Sequence, residues 1–287
     1  MPATINTNLN SLNAQRSLSS SQAALSTSMA RLSSGLRVNS AKDDAAGLAI
    51  AERMSAQVRG MNVAIRNAND GISYAQVAEG ALSKVSDSMQ RMRELAIQSR
   101  NVTNTAKDQG SLQNEFGQLQ SEMTRVLDGT TFNGSTVFTQ TAALDFQVGA
   151  GTSANDRVTI AGGTALNVNV TLTAVTAVTA VIGDTTGAAL TAGTAIDTVI
   201  NNIDIALDTI NQQRSIWGST QNRFDAVVAG LQVSVENQSA ARSRIMDADF
   251  AAETAAMSRA NILQQAGNAM VAQANQLPQQ VLALLRQ

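Results

Sequence analysis

The sequence predicts a mainly α protein: a long antiparallel coiled-coil helical bundle formed by the N- and C-terminal halves, with a β-hairpin and a small β-rich central insertion. Composition supplies the first reason. Aromatic residues are only 3% and prolines only two, while Ala, Ser, Asn, Gln and Thr abound, which suits closely packed long helices and argues against a wide globular core. Periodicity supplies the second, since apolar residues recur at a helical step in two long blocks, one in each half of the chain. Charge supplies the third. It is concentrated in those blocks, whereas residues 1–41 hold only Arg16, Arg31 and Arg37 and residues 260–287 only Arg286.

At the start of the chain Ile5, Leu9, Leu12, Leu18, Leu25, Met29, Leu32 and Leu36 trace a helical stripe. The opposite face carries Ser, Asn, Gln and Ala in place of Lys and Glu, so this helix suits burial among neighbours on both sides and is marginal alone in water. The stretch "LSSGLRVNSAKDDAAGLAIAERM" follows. Gly35 suits a left-handed helix stop. Ser40-Ala41-Lys42-Asp43 fits a capping box, in which the Ser40 side-chain oxygen takes the Asp43 amide and the Asp43 carboxylate reciprocates, and Asp44 adds favourable charge at the same helix start. The paired carboxylates have neither a base partner nor a metal-ligand set nearby, so the stretch reads as a joint between a terminal helix and a bundle helix.

The first charged block places Val58, Met61, Ile65, Ala68, Ile72, Ala75, Ala78, Leu82, Val85, Met89, Met92 and Ala96 at a mean spacing of about 3.5, the seam of a long helix. After a polar break at 101–109, Leu112, Phe116, Leu119, Met123 and Val126 repeat the step. In "TTFNGSTVF", Asn133-Gly134 between β-formers signals a hairpin, and "LDFQVG" reads as another short strand. Residues 158–183 carry no charge and include "TAVTAVTAV", whose period of three matches neither a pleat nor a helical turn. This segment is expected to be a β-rich or irregular surface excursion that the bundle can do without.

In the second block Ile196, Ile203, Ile210, Trp217, Phe224 and Leu231 lie seven apart, with Ile200, Leu207, Val228 and Val235 at the complementary position. Leu263, Ala266, Met270, Ala274, Leu277, Val281 and Leu284 close the chain with a second uncharged stripe. The expected layout is therefore residues 1–41 and 245–287 as terminal helices, 42–139 and 191–244 as the bundle with its hairpin, and 140–190 as a variable surface insertion.

Several function classes fit poorly. The chain has no Cys and no His, so it lacks a thiol nucleophile, an imidazole base and the usual zinc ligands, and it holds neither a phosphate-cradling Gly loop nor G-x-S-x-G. No enzyme activity and no cofactor are expected. A net charge of -2 offers no footprint for nucleic acid. The first residues form neither a basic-plus-apolar signal peptide nor a membrane span, so the chain is expected to stay in the cytosol or to leave by a route without a cleaved signal. The two uncharged terminal stripes point to assembly. A terminal helix pair docked on its own bundle is one alternative, and a membrane-surface helix is another, although its usual basic face is missing. Asn101-Val102-Thr103 and Asn169-Val170-Thr171 match the N-glycosylation pattern, and the many Thr from Thr164 to Thr194 could accept O-linked sugars.

The stretch from "SLSSSQAALSTSMARLSSGLRVNSAKDDAAGLAIAERM" through "NANDGISYAQVAEGAL" resembles the amino-terminal region of bacterial flagellin, and "ENQSAARSRIMDADFAAETAAMSRANILQQAGNAMVAQANQLPQQVLALLRQ" is similar to its carboxy-terminal region. The resemblance implies a subunit of the extracellular bacterial flagellar filament, exported unfolded through the flagellar type III channel, assisted by an export chaperone and polymerised under a cap. Its implied partners are other copies of itself, the cap and hook-junction proteins, with no nucleic acid and no membrane. The implied assembly residues are Ile5, Leu9, Leu12, Leu18, Leu25, Leu32, Leu263, Met270, Leu277, Val281, Leu282, Leu284 and Leu285. "QRMRELAIQS" with Glu115 resembles the surface sensed by a host Toll-like receptor, which carries over to Arg91, Leu95 and Glu115. "VLALLRQ" resembles the leucines read by cytosolic flagellin sensors, carried over to Leu282, Leu284 and Leu285, with Gln287 as an extra terminal residue. A hook-filament junction protein of limited copy number is the alternative within the same resemblance.

Overall fold

Both long periodic blocks are continuous helices. The computed structural model describes residues 8–139, 142–160, 175, 180–183 and 193–284, with 193, 194 and 277–284 described by backbone alone. Helix α1 spans Leu9–Ser34, α2 Ala45–Ser99, α3 Ala106–Gly129, α4 Gly193–Met246 and α5 Phe250–Leu284. Between α3 and α4 lie strands β1 (Thr131–Phe132), β2 (Ser135–Thr136), β3 (Leu144–Gln147) and β4 (Arg157–Ile160), with a 3-10 turn at Ala154–Asp156. The chain forms two compact units, one built from its two ends up to residue 58 and from residue 236, the other from residues 59–235.

In the second unit the heptad pattern of α2 is buried in two registers. Ala68, Ala75, Leu82, Met89 and Ala96 form one, and Ala64, Gly71, Ala78, Val85, Met92 and Ser99 the other. Helix α4 answers with Ile196, Ile203, Ile210, Trp217 and Phe224 at the expected sevenfold spacing. Its complementary register is Val199, Ala206 and Gln213, one residue before the expected Ile200 and Leu207, which sit at the edge of the core. The helices are antiparallel here. Arg93 pairs with Asp204 at 2.6 Å, Arg100 with Asp197 at 3.0 Å, and Arg214 with Glu79 at 4.0 Å, so partners descend on α4 as they ascend on α2.

Side-chain size is matched across that seam. Where α4 presents Phe224, α2 presents Gly71, and a Cβ added there would lie 2.7 Å from the ring's Cζ. That ring is itself held edge-on to Phe146 at 5.3 Å, so it has little room to retreat. Gly71→Ala is expected to cost about 1–3 kcal/mol despite the better helix propensity of Ala. Denaturant melts of Gly71→Ala and of Gly71→Ala combined with Phe224→Leu check this, because the smaller Leu should recover part of the loss.

The hairpins dock on α2 through a cluster of aromatic side chains. Asn133 (φ 49°) and Gly134 (φ 80°) form the expected two-residue turn, both left-handed, and β1 pairs with β2 as Thr131 to Thr136 and Phe132 to Ser135. β3 pairs antiparallel with β4 from Leu144–Ile160 to Gln147–Arg157. Tyr74 of α2 meets Phe132 at 5.4 Å, Phe146 at 6.0 Å and Trp217 at 5.7 Å, and the Asn67 side-chain amide donates to the Gln147 carbonyl at 3.0 Å. A single ring cluster thus joins both hairpins to both long helices.

The insertion differs from expectation. Ile160, Val175, Ala180 and Ile182 are buried in the main core, with Ile182 fully covered. Main-chain groups of the segment are held by side chains of α2 and α3: the amides of Ile182 and Gly183 donate to Gln113 Oε1 at 2.7 and 3.2 Å, the Ser99 hydroxyl donates to the Ile182 carbonyl, and Gln120 donates to the Val175 carbonyl at 2.7 Å. Residues 180–183 are therefore part of the bundle and not an excursion from it. Truncating Ile182→Ala should destabilise the second unit by about 2–5 kcal/mol, read from urea unfolding monitored by helical circular dichroism. Residues 161–174, 176–179 and 184–192, with most of "TAVTAVTAV" apart from Val175, Ala180 and Val181, lie outside the described residues.

Helix starts rely on carboxylates. At α3, Thr105 and Asp108 form a reciprocal capping box, and hydrogen bonds from the Thr105 hydroxyl and amide hold the Asp108 carboxyl below the usual carboxylate range. A carboxyl with a lowered folded-state pKa stabilises the fold above its unfolded value, and that contribution disappears as pH falls through the folded value. The first turn of α3 should hence keep its cap at neutral pH and lose it only below about pH 4. Amide exchange across 106–112 during an acid titration tests this, and Asp108→Asn should show no such acid step.

Candidate assembly surface

In the first unit α1 and α5 pack against each other from Asn8 and Ala274 to Arg31 and Glu253. Asn8 caps α1 by accepting the Ser11 amide at 3.1 Å while its side-chain amide donates to the Ala274 carbonyl at 2.7 Å. The Ser11 hydroxyl donates to Asn275 at 2.8 Å, and far along the pair Arg31 lies 3.7 Å from Glu253. The order of partners makes this pair antiparallel too.

The seam between these helices mixes small and polar side chains with larger aliphatic ones. On α1 it runs Ser11, Ala14, Leu18, Ser21, Leu25, Ser28 and Leu32; on α5 it runs Glu253, Met257, Ala260, Gln264, Gly267, Val271 and Ala274. Each set alternates steps of three and four, the signature of a coiled-coil seam. Small residues let the helices approach closely: a Cβ at Gly267 would lie 3.2 Å from Leu18 Cδ1.

This seam divides the stripes expected from sequence. Leu18, Leu25 and Leu32 turn partly toward α5, whereas Leu9 (67% exposed), Leu12, Met29, Ile262 (66%), Leu263 (51%) and Met270 (61%) turn outward. Ile262 is an addition that periodicity missed, because it falls off the stripe through Leu263 and Met270. A groove of about 910 Å³ runs over the pair, lined by Asn13, Ser17, Ser21, Leu263, Gly267 and Met270. Charge is nearly absent: α1 carries only Arg16 and Arg31, and α5 only Glu253 and Arg259. Ile5 and Leu285 lie outside the described residues, as do the side chains of Leu277, Val281, Leu282 and Leu284.

The joint after α1 takes a different form from the expected capping box. Gly35 ends α1 at φ 70° with its amide on the Arg31 carbonyl at 2.8 Å. The Asp43 amide donates to the Ser40 main-chain carbonyl at 3.0 Å, not to the Ser40 hydroxyl, and the Asp43 carboxylate gathers the amides of Asn39 and Ser40 with the Ser40 hydroxyl. Those bonds, led by the Ser40 amide, hold the Asp43 carboxyl below its usual range. The box therefore closes a turn that precedes the helix. Asp44 is the cap of α2, accepting the Gly47 amide at 2.8 Å. The break is clasped to the break between α4 and α5: the Arg37 amide donates to the Met246 carbonyl at 2.6 Å, the Ala248 amide to the Gly35 carbonyl at 3.0 Å, and the Arg37 guanidinium to the Ile245 carbonyl at 2.8 Å.

On the second unit Arg91 is exposed and bridges Glu115 (2.8 Å) and Glu94 (3.0 Å). Those hydrogen bonds, the one from Glu115 first, raise the Arg91 pKa. Leu95 is fully buried in the core beneath them. An approaching protein would meet Arg91, Glu94 and Glu115, while Leu95 can act only by supporting the helix from inside. Among the described residues no cluster of carboxylates is arranged to hold a metal ion, and no described helix is long and apolar enough to cross a membrane.

Two paired coiled coils, one with large apolar side chains turned outward and almost no charge, define a helical structural protein. Residues 5–143 match the description "Bacterial flagellin N-terminal helical region" and residues 200–285 "Bacterial flagellin C-terminal helical region". The chain is 44% identical to a flagellin of Halalkalibacterium halodurans (98% of this chain, 99% of the relative), 40% identical to the Bacillus subtilis flagellin (98% and 99%), and 42% identical to that of Xenorhabdus nematophila (100% of both). A solved structure described as a putative flagellar hook-associated protein from Vibrio parahaemolyticus shares the fold at 13% identity, with a TM-score of 0.56 over 71% of this chain and all of that one. The chain belongs to the bacterial flagellin family, as a structural subunit of the flagellar filament and not an enzyme.

Proposed function

We propose that this subunit polymerises through the outer face of the α1–α5 pair, with Leu9, Leu12, Met29, Ile262, Leu263 and Met270 as contact residues. The observation that carries the proposal is the outward turn of these large apolar side chains on helices with almost no charge. Large apolar side chains left in water on both helices are available for burial in a contact, and covering them stabilises by about 25 cal/mol for each Å² removed from water. The terminal leucines Leu282, Leu284 and Leu285 are assembly residues in the same proposal. Export through the flagellar type III channel with a chaperone, growth under a cap, and joining to hook-junction proteins belong to the same proposal. So does sensing by a host Toll-like receptor, through the exposed Arg91–Glu115 pair.

Electron microscopy of the purified protein after seeding with filament fragments tests the central claim. Filaments that lengthen as long as subunit is supplied are the expected result. Rings or short stacks of limited copy number would replace the filament reading with that of a hook-filament junction protein.

A further inference from the structure

We propose that Met29 and Met270 are oxidation sites through which a peroxide, by forming methionine sulfoxide, stops the unassembled subunit from polymerising. The inference rests on the reading of the α1–α5 outer face as the contact surface. Met29 is 57% and Met270 61% exposed, whereas Met89, Met92 and Met123 are completely buried and Met61 nearly so. Two thioethers thus stand in water among the outward apolar side chains that carry the assembly proposal, one on each helix.

Thioether sulfur is a two-electron reductant. Its lone pair attacks one oxygen of hydrogen peroxide, the O–O bond breaks, that oxygen stays on sulfur as the sulfoxide, and the other leaves as water after proton transfer. Sulfur is oxidised and peroxide is reduced, so no further reactant is needed. The product is polar and chiral and accepts hydrogen bonds. In the free subunit it faces solvent and costs nothing in packing. Between subunits it would have to shed its water and compete for the neutral donors of the groove, Asn13, Ser17 and Ser21 among them, with no charged group at hand. Once subunits have joined, the same contacts shield both sulfurs. Sensitivity therefore belongs to the monomer.

The test treats purified monomer with hydrogen peroxide, maps oxidised peptides by mass, and measures seeded elongation. Expected are gains of about 16 Da on the peptides holding Met29 and Met270 before those holding Met89, Met92 and Met123, and elongation slowed more than tenfold. Methionine sulfoxide reductases should restore growth. A Met29→Leu, Met270→Leu double variant should elongate after peroxide at its own untreated rate, whatever that rate is; if it fails to elongate untreated, the reductase rescue of wild type decides. Oxidation spread evenly over exposed and buried methionines, or oxidised wild type elongating at the untreated rate, overturns the proposal. A parallel Leu263→Asp sample separates the two layers. If that variant elongates normally, the contact-surface reading fails; if it does not elongate while oxidised wild type does, the sulfoxide proposal alone fails.

Discussion

Leu263→Asp is expected to abolish seeded filament growth while leaving the thermal midpoint of the monomer within about a degree of wild type. The side chain is half exposed on the outer face of α5, away from the seam with α1, so the free subunit loses little packing when it is replaced. In a subunit contact the change is of a different order. Roughly 1.5–3 kcal/mol of apolar burial is forfeited, and a carboxylate must be desolvated at a further cost of several kcal/mol. Arg259, one turn earlier on α5, is within pairing reach, but in a contact both charges of such a pair would have to leave water. Each 1.4 kcal/mol raises the concentration needed for growth about tenfold, so a loss of about 4 kcal/mol places it some thousandfold higher. Sedimentation of seeded samples and calorimetry of the monomer measure the two quantities. Normal growth would take Leu263 out of the contact, and a monomer melting many degrees lower would make it a core residue.

Trp217→Ala should have the largest effect on the subunit's own stability. The indole is almost wholly buried, lies 5.7 Å from the Tyr74 ring, and belongs to the ring cluster that joins both hairpins to α2 and α4. Removing a buried Trp leaves a large cavity in a core cluster that also holds the small side chains of Ala75 and Ala78, and costs about 3–5 kcal/mol. That loss corresponds to a drop of about 10–15 °C in the melting of the second unit. Calorimetry reads it directly. Trp217→Phe should retain most of the stability, since the ring contact with Tyr74 survives; an alanine variant that melts as wild type would show that the cluster is not the anchor of the hairpins.

Much of this architecture is legible in the sequence because heptads are self-reporting. Five α4 positions seven apart are buried as their spacing implies, and Asn133-Gly134 has a local conformation that few other pairs adopt. What failed were choices between near-equal local options. Asp43 and Asp44 are both able to cap; which one opens α2 depends on where the preceding turn closes, and that is set by the Ser40 carbonyl. Ile200 and Val199 are both apolar neighbours of the seam, and the deciding factor is the direction from which α2 and α3 approach. The terminal stripes show the same limit. Leu9 and Leu18 look alike along the chain, yet the α1–α5 seam draws Leu18 toward α5 and leaves Leu9 outside. The insertion was opaque for another reason: the side chains that recruit Ile182 into the core, Ser99, Gln113 and Gln120, are polar, and hydrophobic periodicity cannot see them.

The clasp between residues 35–37 and 246–248 has a mechanical meaning. Two interruptions of helical structure would ordinarily be two independent points of give, each free to bend or twist. Here each lends the other a main-chain hydrogen bond, so a change of angle at Gly35 must be accommodated at Met246 and Ala248 as well. The pair behaves as one hinge with a shared axis, stiffer than either strand alone, able to pass torque between the two runs of chain. Because those two bonds are made by the backbone, most side-chain substitutions at the clasp leave the coupling in place. Proline at position 37 or 248, which removes a donor, is the change that would uncouple the two joints and let a subunit under load flex at each of them separately.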